Sequence, residues 1–388
     1  MGAQADQRAA ALVNNPAIER TQVADDAELL ELMLSDLKSS DPRFQPTHFW
    51  RYYERRFLPE LRDLGLRDFR RRHNSALSAF GGTDPYQEPF SRRNVLGRWP
   101  LLRGLPGRSP LIDRVLYRLS STVPNPHFRD IVAEYRYWRV KDKFAQVGMD
   151  LRKCSTSYVG NPEGTVELEG RPWTATHLEY CSLLADAARH VPFRPDMFYC
   201  ELGTGMGRSV EIIASLFENA TVLMFDIPPQ LYVANQYLTK VFGSRVVGYR
   251  EANALTPGSP ECASAIRGRI VIQPAWRMPI WAASTKIEVF WNSASFQEME
   301  PDVVSNYLAL VKKMRPEHVY INAMPGGNYH PGKAEKGELG TKAPVLAKQY
   351  SDALSDQYDL SASYDSDHLD GGEYGHHVSY VFKRKGAR

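Results

Sequence analysis

An apolar run that ends in an acid and opens onto three glycines at alternate positions constrains this chain more than any other stretch. It reads Phe198-Tyr199-Cys200-Glu201-Leu202-Gly203-Thr204-Gly205-Met206-Gly207-Arg208. Glycine enters positive-φ backbone freely and puts no side chain between the chain and a ligand. A helix-like segment, Val210 to Phe217, follows. The pattern predicts a strand, a tight turn and a helix N-terminus, where bare N–H groups can meet a ligand. Its register argues against a dinucleotide. The G-x-G-x-x-G turn needs its last glycine at 208, and this chain has Arg208 there.

From this point apolar runs and helical patterns alternate. Strands are expected at Asp196–Leu202, Ala220–Asp226, Arg245–Glu251, Arg269–Gln273, Lys286–Trp291 and His318–Asn322, with helices at Arg208–Phe217, Pro229–Val241, Pro301–Met314 and Lys342–Ala353. Asp359–Tyr364 and Val378–Arg384 form a terminal hairpin-like pair. Such alternation predicts an α/β, Rossmann-like doubly wound sheet. Thr156–Pro172 reads as turns, and Thr174 or Thr176 caps a helix over His177–His190.

At 388 residues the chain is long for one core. The expected division is a tail over 1–24, a helical accessory region over 25–150 and the sheet domain over 151–388. Asp25–Leu37 and His48–Leu64 have helical apolar spacing, and the aromatic stripe Phe49, Tyr52, Tyr53, Phe57 reads as core. Gly81–Pro110 reads as loops, with helical patterns at Leu111–Leu119 and Phe128–Gln146. Net charge is +3, yet Arg43–Lys143 carries 21 Lys plus Arg against 10 Asp plus Glu. That excess is either a solvated helical surface or a hint of a negatively charged acceptor. No nucleic-acid motif accompanies it. No run of 18 apolar residues and no signal-peptide core is present, and the four cysteines lack C-x-x-C spacing. A cytoplasmic protein with reduced thiols, not bound to a membrane, is expected.

Two acids stand at strand ends. Glu201 can face a cationic ligand, or interact with the dipole of the helix that follows. Asp226 lies 23 residues after Gly203, where doubly wound folds place an acid that accepts from ribose hydroxyls; alternatively it caps the helix begun by Pro228 and Pro229. A second cluster, Phe290-Trp291-Asn292-Ser293-Ala294-Ser295-Phe296-Gln297-Glu298-Met299, follows the fourth strand, at the carboxyl edge where open α/β sheets bind ligands.

The E-L-G-x-G-x-G pattern resembles the first motif of class I S-adenosylmethionine-dependent methyltransferases. Together with that second cluster, Val159-Gly160-Asn161-Pro162 and His377-Val378-Ser379-Tyr380-Val381-Phe382, the chain resembles a bacterial family of sugar O-methyltransferases over about residues 155–384. The resemblance implies a seven-stranded, mostly parallel sheet whose last strand is antiparallel. It also implies methyl transfer from S-adenosyl-L-methionine, leaving S-adenosyl-L-homocysteine, to a hydroxyl of a small saccharide or other polyhydroxylated natural product. The cofactor-binding set is then Glu201, Gly203, Thr204, Gly205, Gly207, Arg208, Asp226, Ile227, Asn253 and Asn292. Asn253 would read the adenine amino group, or else form a turn. Ser295, Gln297, Tyr329, His376 and His377 are the acceptor-binding candidates. His330 ranks first and Glu298 second as general base. The acid- and histidine-rich stretch Tyr364–His377 could hold a divalent metal, but its spacing matches no cation loop, so no metal is assigned. The helical region would cover the ligand edge, shape the acceptor pocket or pair two subunits. Two other readings stay open: a non-methylating scaffold that keeps the cofactor fold, and a nicotinamide oxidoreductase.

Overall fold

A computed structural model describes residues 21–71, 75–82, 127–162, 164–366 and 376–386. The readings at Leu111–Leu119, at most of Gly81–Pro110, at residues 1–20 and at most of the Tyr364–His377 loop lie outside these residues.

Three helices come first: α1 (Ala27–Ser39), α2 (His48–Leu64) and α3 (His127–Gln146). The Asp26 carboxylate caps α1 by accepting from the Leu29 N–H at 2.8 Å. Leu29, Leu30, Met33 and Leu37 recur at helical spacing and are buried. A two-stranded hairpin, β1 (Val166–Leu168) and β2 (Arg171–Trp173), occupies the stretch read as turns. Its connection uses Glu169 and Gly170, both at positive φ. Helix α4 (Ala175–Ala187) starts at Thr174, whose hydroxyl accepts from the His177 N–H at 3.2 Å.

The alternating unit then runs β3 (Phe198–Leu202), α5 (Arg208–Leu216), β4 (Thr221–Asp226), α6 (Gln230–Phe242), β5 (Val246–Val247), α7 (Tyr249–Ala254), α8 (Pro260–Ile266), β6 (Ile270–Pro274), α9 (Met278–Ser284), β7 (Val289–Ser293), α10 (Pro301–Met314), β8 (His318–Ala323), α11 (Ala347–Leu354), β9 (Tyr358–Asp365) and β10 (Val378–Arg384). The sheet order is β5-β6-β4-β3-β7-β8-β10-β9. Strands β5 to β8 with β3 and β4 pair in parallel, and β10 runs antiparallel to both β8 and β9. This is the Rossmann-like order with an antiparallel last strand, extended to eight strands by the two-residue edge strand β5.

The strand expected at Arg245–Glu251 is corrected: only Val246 and Val247 pair, and helix α7 follows at once. The Asn235 side-chain oxygen accepts from the Tyr249 N–H at 2.8 Å and turns the chain out of the sheet. Helices α8 and α9 also occupy segments with no helical reading in the sequence.

The N-terminal helices share their core with the sheet unit. Met33, Phe57 and Tyr137 pack in one apolar cluster with Leu178, Tyr199 and Leu238. Residues just before α1 are tied down as well: the Ala24 carbonyl accepts from Gln236 at 2.7 Å, and the Asp26 N–H donates to the Tyr232 hydroxyl at 2.8 Å. Arg70 is wholly buried and donates to the Ser157 carbonyl at 2.7 Å, the Thr156 hydroxyl at 2.8 Å and the Tyr237 hydroxyl at 3.1 Å. The turn Ala76–Phe80 sits directly on the glycine turn. A Cβ built on Gly205 would collide with the Phe80 carbonyl oxygen, and its φ of +57° already disfavours any other residue.

Gly205→Ala is therefore expected to lose about 1–3 kcal/mol in urea titration and to speed proteolysis of the N-terminal region. An unchanged midpoint and unchanged proteolysis would contradict the seating of Phe80 on the turn.

Candidate functional site

The chain leaves β3 toward one edge of the sheet, returns, and continues from β7 toward the other, so the order reverses between β3 and β7. Open α/β sheets leave a crevice at that point, outside the carboxyl ends of the strands. Here the crevice is a cleft of about 120 Å³. Its floor is Glu201–Gly205, Asp226, Ile227, Ala275 and Ser293–Ser295. Phe44–Thr47 and Trp50, with Phe80 and Gly81, form the roof. Residues of the N-terminal region thus line this cleft.

The floor is held by backbone geometry. A Cβ on Gly203 would collide with the Ser295 hydroxyl, so the glycine turn and the loop after β7 approach as closely as only glycine allows. Asp226 staples the turn to β4: its carboxylate accepts from the Gly205 N–H at 2.8 Å and from the Ile227 N–H at 2.7 Å. Glu201 accepts from the Tyr199 hydroxyl at 2.8 Å.

Three carboxyls line this cleft, from Glu201, Asp226 and Glu298. No Lys, Arg or His stands among the described lining residues. Burial pushes the Glu201 carboxyl up to about 8, against the pull of hydrogen bonds from Tyr199 and Ser209. Burial likewise raises Asp226 to about 7, although backbone N–H groups of Ile227, Gly205 and Thr204 favour its charged form. Glu298 is pushed well above the carboxylate range by burial first and by the nearby Asp226 charge second. Such an arrangement is suited to a cationic ligand.

Of the residues singled out in the sequence, Glu201, Gly203, Thr204, Gly205, Asp226, Ile227, Ser295 and Glu298 meet in the cleft. The others do not line it. Arg208 is buried and its Nε donates to the Gly81 carbonyl at 2.8 Å, clamping the roof onto α5. Asn253 sits on α7, away from any strand end, hydrogen-bonded to Tyr249 and with its carbonyl held by Arg277. Asn292 is fully buried; it donates to the Leu202 carbonyl at 2.9 Å and accepts from the Phe296 N–H at 3.1 Å, bracing β7 against β3. Gln297 braces the loop after β8 by accepting from the Met324 N–H at 2.7 Å. Tyr329 bridges to Thr341, and His330 beside it is exposed. His376 is exposed and pairs with Asp365 at 3.2 Å, while the His377 carbonyl accepts from the Ser366 N–H at 2.9 Å. Of the two candidate bases, Glu298 lines the cleft and His330 does not.

Sequence reasoning missed Tyr180, Gln230, Trp50 and Tyr307, all of which line the cleft. Trp50 belongs to an aromatic stripe of which Phe49 and Phe57 are buried. Gln230 and Thr204 each leave a buried oxygen, Oε1 and Oγ1, with no hydrogen-bond partner. Unsatisfied polar atoms of this kind are costly inside a protein and are the groups a ligand can satisfy. Among the described residues no group of three His, Cys, Asp or Glu could hold a metal ion, and no helix is long and apolar enough to cross a membrane.

No family model matches this chain, and no curated protein matches it in sequence. Solved structures with a similar arrangement include a SAM-dependent methyltransferase from Aquifex aeolicus, 11% identical, covering 54% of this chain and 92% of that one at a TM-score of 0.36. Another is the magnesium protoporphyrin IX methyltransferase ChlM from Synechocystis PCC 6803 with bound SAH, 12% identical, covering 66% of this chain and 99% of that one at 0.35. The pyocyanin biosynthetic protein PhzM is 11% identical and aligns over 54% of this chain, which spans 58% of PhzM, at 0.34. Likeness at this level adds nothing to the strand order and says nothing of activity.

The raised carboxyls fix the sign of a pH dependence. Folding lifts Glu201 from 4.5 to about 8 and Asp226 from 3.8 to about 7. The stability they lend is complete below about pH 4 and is lost as pH rises through about 7 to 8. The ligand-free protein should melt lower at about pH 8.5 than at about pH 6, and Glu201→Gln should narrow that gap in thermal scans. A gap of the same size in the variant would contradict the buried, raised Glu201.

Proposed function

We propose that this protein is an S-adenosylmethionine-dependent O-methyltransferase that acts on a hydroxyl of a sugar or other polyhydroxylated compound. The observation that carries the reading is the convergence of Glu201, the glycine turn and Asp226 on one cleft at the reversal of the sheet. The residues fit this cofactor chemically. Asp226 is a short carboxylate suited to a ribose diol, and the unpartnered Gln230 oxygen stands on the same cleft. Ile227, Ala275, Val303 and Tyr307 supply apolar wall for a base. Glu201 supplies negative charge for the cationic amino-acid end. When bound, the cofactor supplies a methyl group already activated on a sulfonium.

The chain's own task is then to position the acceptor and take a proton from its hydroxyl. Glu298 fills the base role: it lines the cleft and receives no hydrogen bond from a described residue. Phe44, Trp50 and Phe80 line the same cleft and narrow it around that carboxyl. Support for a hydroxyl acceptor comes from the loop Ser295-Phe296-Gln297-Glu298-Met299 and its family resemblance. Among the described residues the cleft offers no cation to an anionic acceptor, which favours a neutral one; exposed Arg51, Arg55 and Arg56 of α2 are not in its lining.

Asp226→Ala should weaken S-adenosylmethionine binding tenfold or more in calorimetry, since hydrogen bonds to a charged group contribute about 1.5–3 kcal/mol. Unchanged affinity would take Asp226 out of the cofactor site. With a labelled methyl donor and a panel of hydroxylated acceptors, Glu298→Gln should cut turnover by about 100-fold or more, while His330→Ala keeps it. The reverse pattern would move the base to His330.

A further inference from the structure

We infer that Gln230 is a second reader of the ribose, dividing the two hydroxyls of the cofactor with Asp226, so that the cleft requires both of them. The inference rests on the cofactor reading and deepens it.

An ionised carboxylate offers about four accepting positions. Backbone N–H groups already occupy three on Asp226: those of Gly205 at 2.8 Å, Ile227 at 2.7 Å and Thr204. About one position is then left for a ligand, while a ribose diol brings two protons to place. The second proton needs another acceptor close to the end of β4.

Gln230 stands there. It lines the same cleft as Asp226 and is the first residue of α6, whose opening turn is tied to β4 by the Leu231 N–H on the Ile227 carbonyl at 3.1 Å. The residue is only 1% exposed, and its Oε1 has no hydrogen-bond partner among the described residues. A buried amide oxygen without a donor costs stability in the free protein, and a hydroxyl proton offsets that cost. The terminal amide turns about a broad torsion, which lets the oxygen meet a hydroxyl at the cleft wall. Helix α6 also begins without a side-chain cap, so the positive end of its dipole lies at the same wall and favours the hydroxyl oxygen. Thr204 Oγ1 is a second partnerless oxygen on the cleft, but it stands on the glycine turn and carries its own proton. An amide oxygen can only accept, which is what the second hydroxyl needs.

Calorimetric titration of the full-length protein with S-adenosylhomocysteine and with its 2′-deoxy and 3′-deoxy analogues reads each hydroxyl separately. Wild type should lose affinity by about tenfold or more with either deletion, since each leaves one buried acceptor unsatisfied. Gln230→Met keeps the length of the side chain without its amide. It should bind S-adenosylhomocysteine about tenfold more weakly and become indifferent to one deletion while still sensing the other. Ligand-free Gln230→Met should melt no lower than wild type, because it removes a partnerless buried oxygen. Full sensitivity to both deletions in Gln230→Met overturns the proposal, as does a wild type indifferent to either one. A lower melting temperature in the variant shows that the oxygen has a partner within the fold and overturns it too. No binding of S-adenosylhomocysteine by the wild type overturns the cofactor assignment itself.

Discussion

The contact on which the rest of this structure depends is the pairing of the Asp226 carboxylate with the N–H of Gly205, 2.8 Å apart. It joins the ends of β3 and β4, fixes the path of the glycine turn and leaves that turn bare on the cleft side. The turn is then closed from above by the Phe80 and Gly81 carbonyls, the second held by Arg208. Two chain segments more than 120 residues apart therefore meet on the few atoms that a ligand would touch. The N-terminal helices are part of the site for that reason, and their apolar faces continue the core of the sheet unit.

Electrostatics follows from the same closure. Burial raises the cost of a charge, and Glu201 and Asp226 are both buried here. Three acids on one cleft, with no cation among the described lining residues, are a standing deficit that a cationic ligand would relieve. The three differ: hydrogen bonds support the buried Glu201 and Asp226, while the half-buried Glu298 carboxyl receives none from a described residue. Position and charge thus separate two acids suited to holding a ligand from one suited to moving a proton.

Much of this was legible in the sequence, for physical reasons. Strands buried on both faces read as apolar runs, and β4 is buried along its whole length. The glycine turn and the two acids were readable because positive φ and close approach leave few residue choices. What stayed illegible was side-chain direction. Asn292 and Gln297 lie beside the cleft in sequence, yet both turn to backbone groups and brace loops. His330 does not line the cleft, and nothing in its sequence neighbours reports a distance to it. Trp50 was hidden in an aromatic stripe of which Phe49 and Phe57 are buried, and α7 replaced an expected strand through one long-range bond from Asn235. The arginine excess read either as a solvated helical surface or as a hint of an anionic acceptor, and the described cleft is lined by acids.

The most direct measurement is a crystal structure of the protein with S-adenosylhomocysteine. Density for the ribose against the Asp226 carboxylate, the base against Ile227 and Tyr307, and the amino-acid end toward Glu201 is the predicted result. A ligand bound elsewhere, or a cleft that stays closed to it while a nicotinamide nucleotide enters, would contradict it.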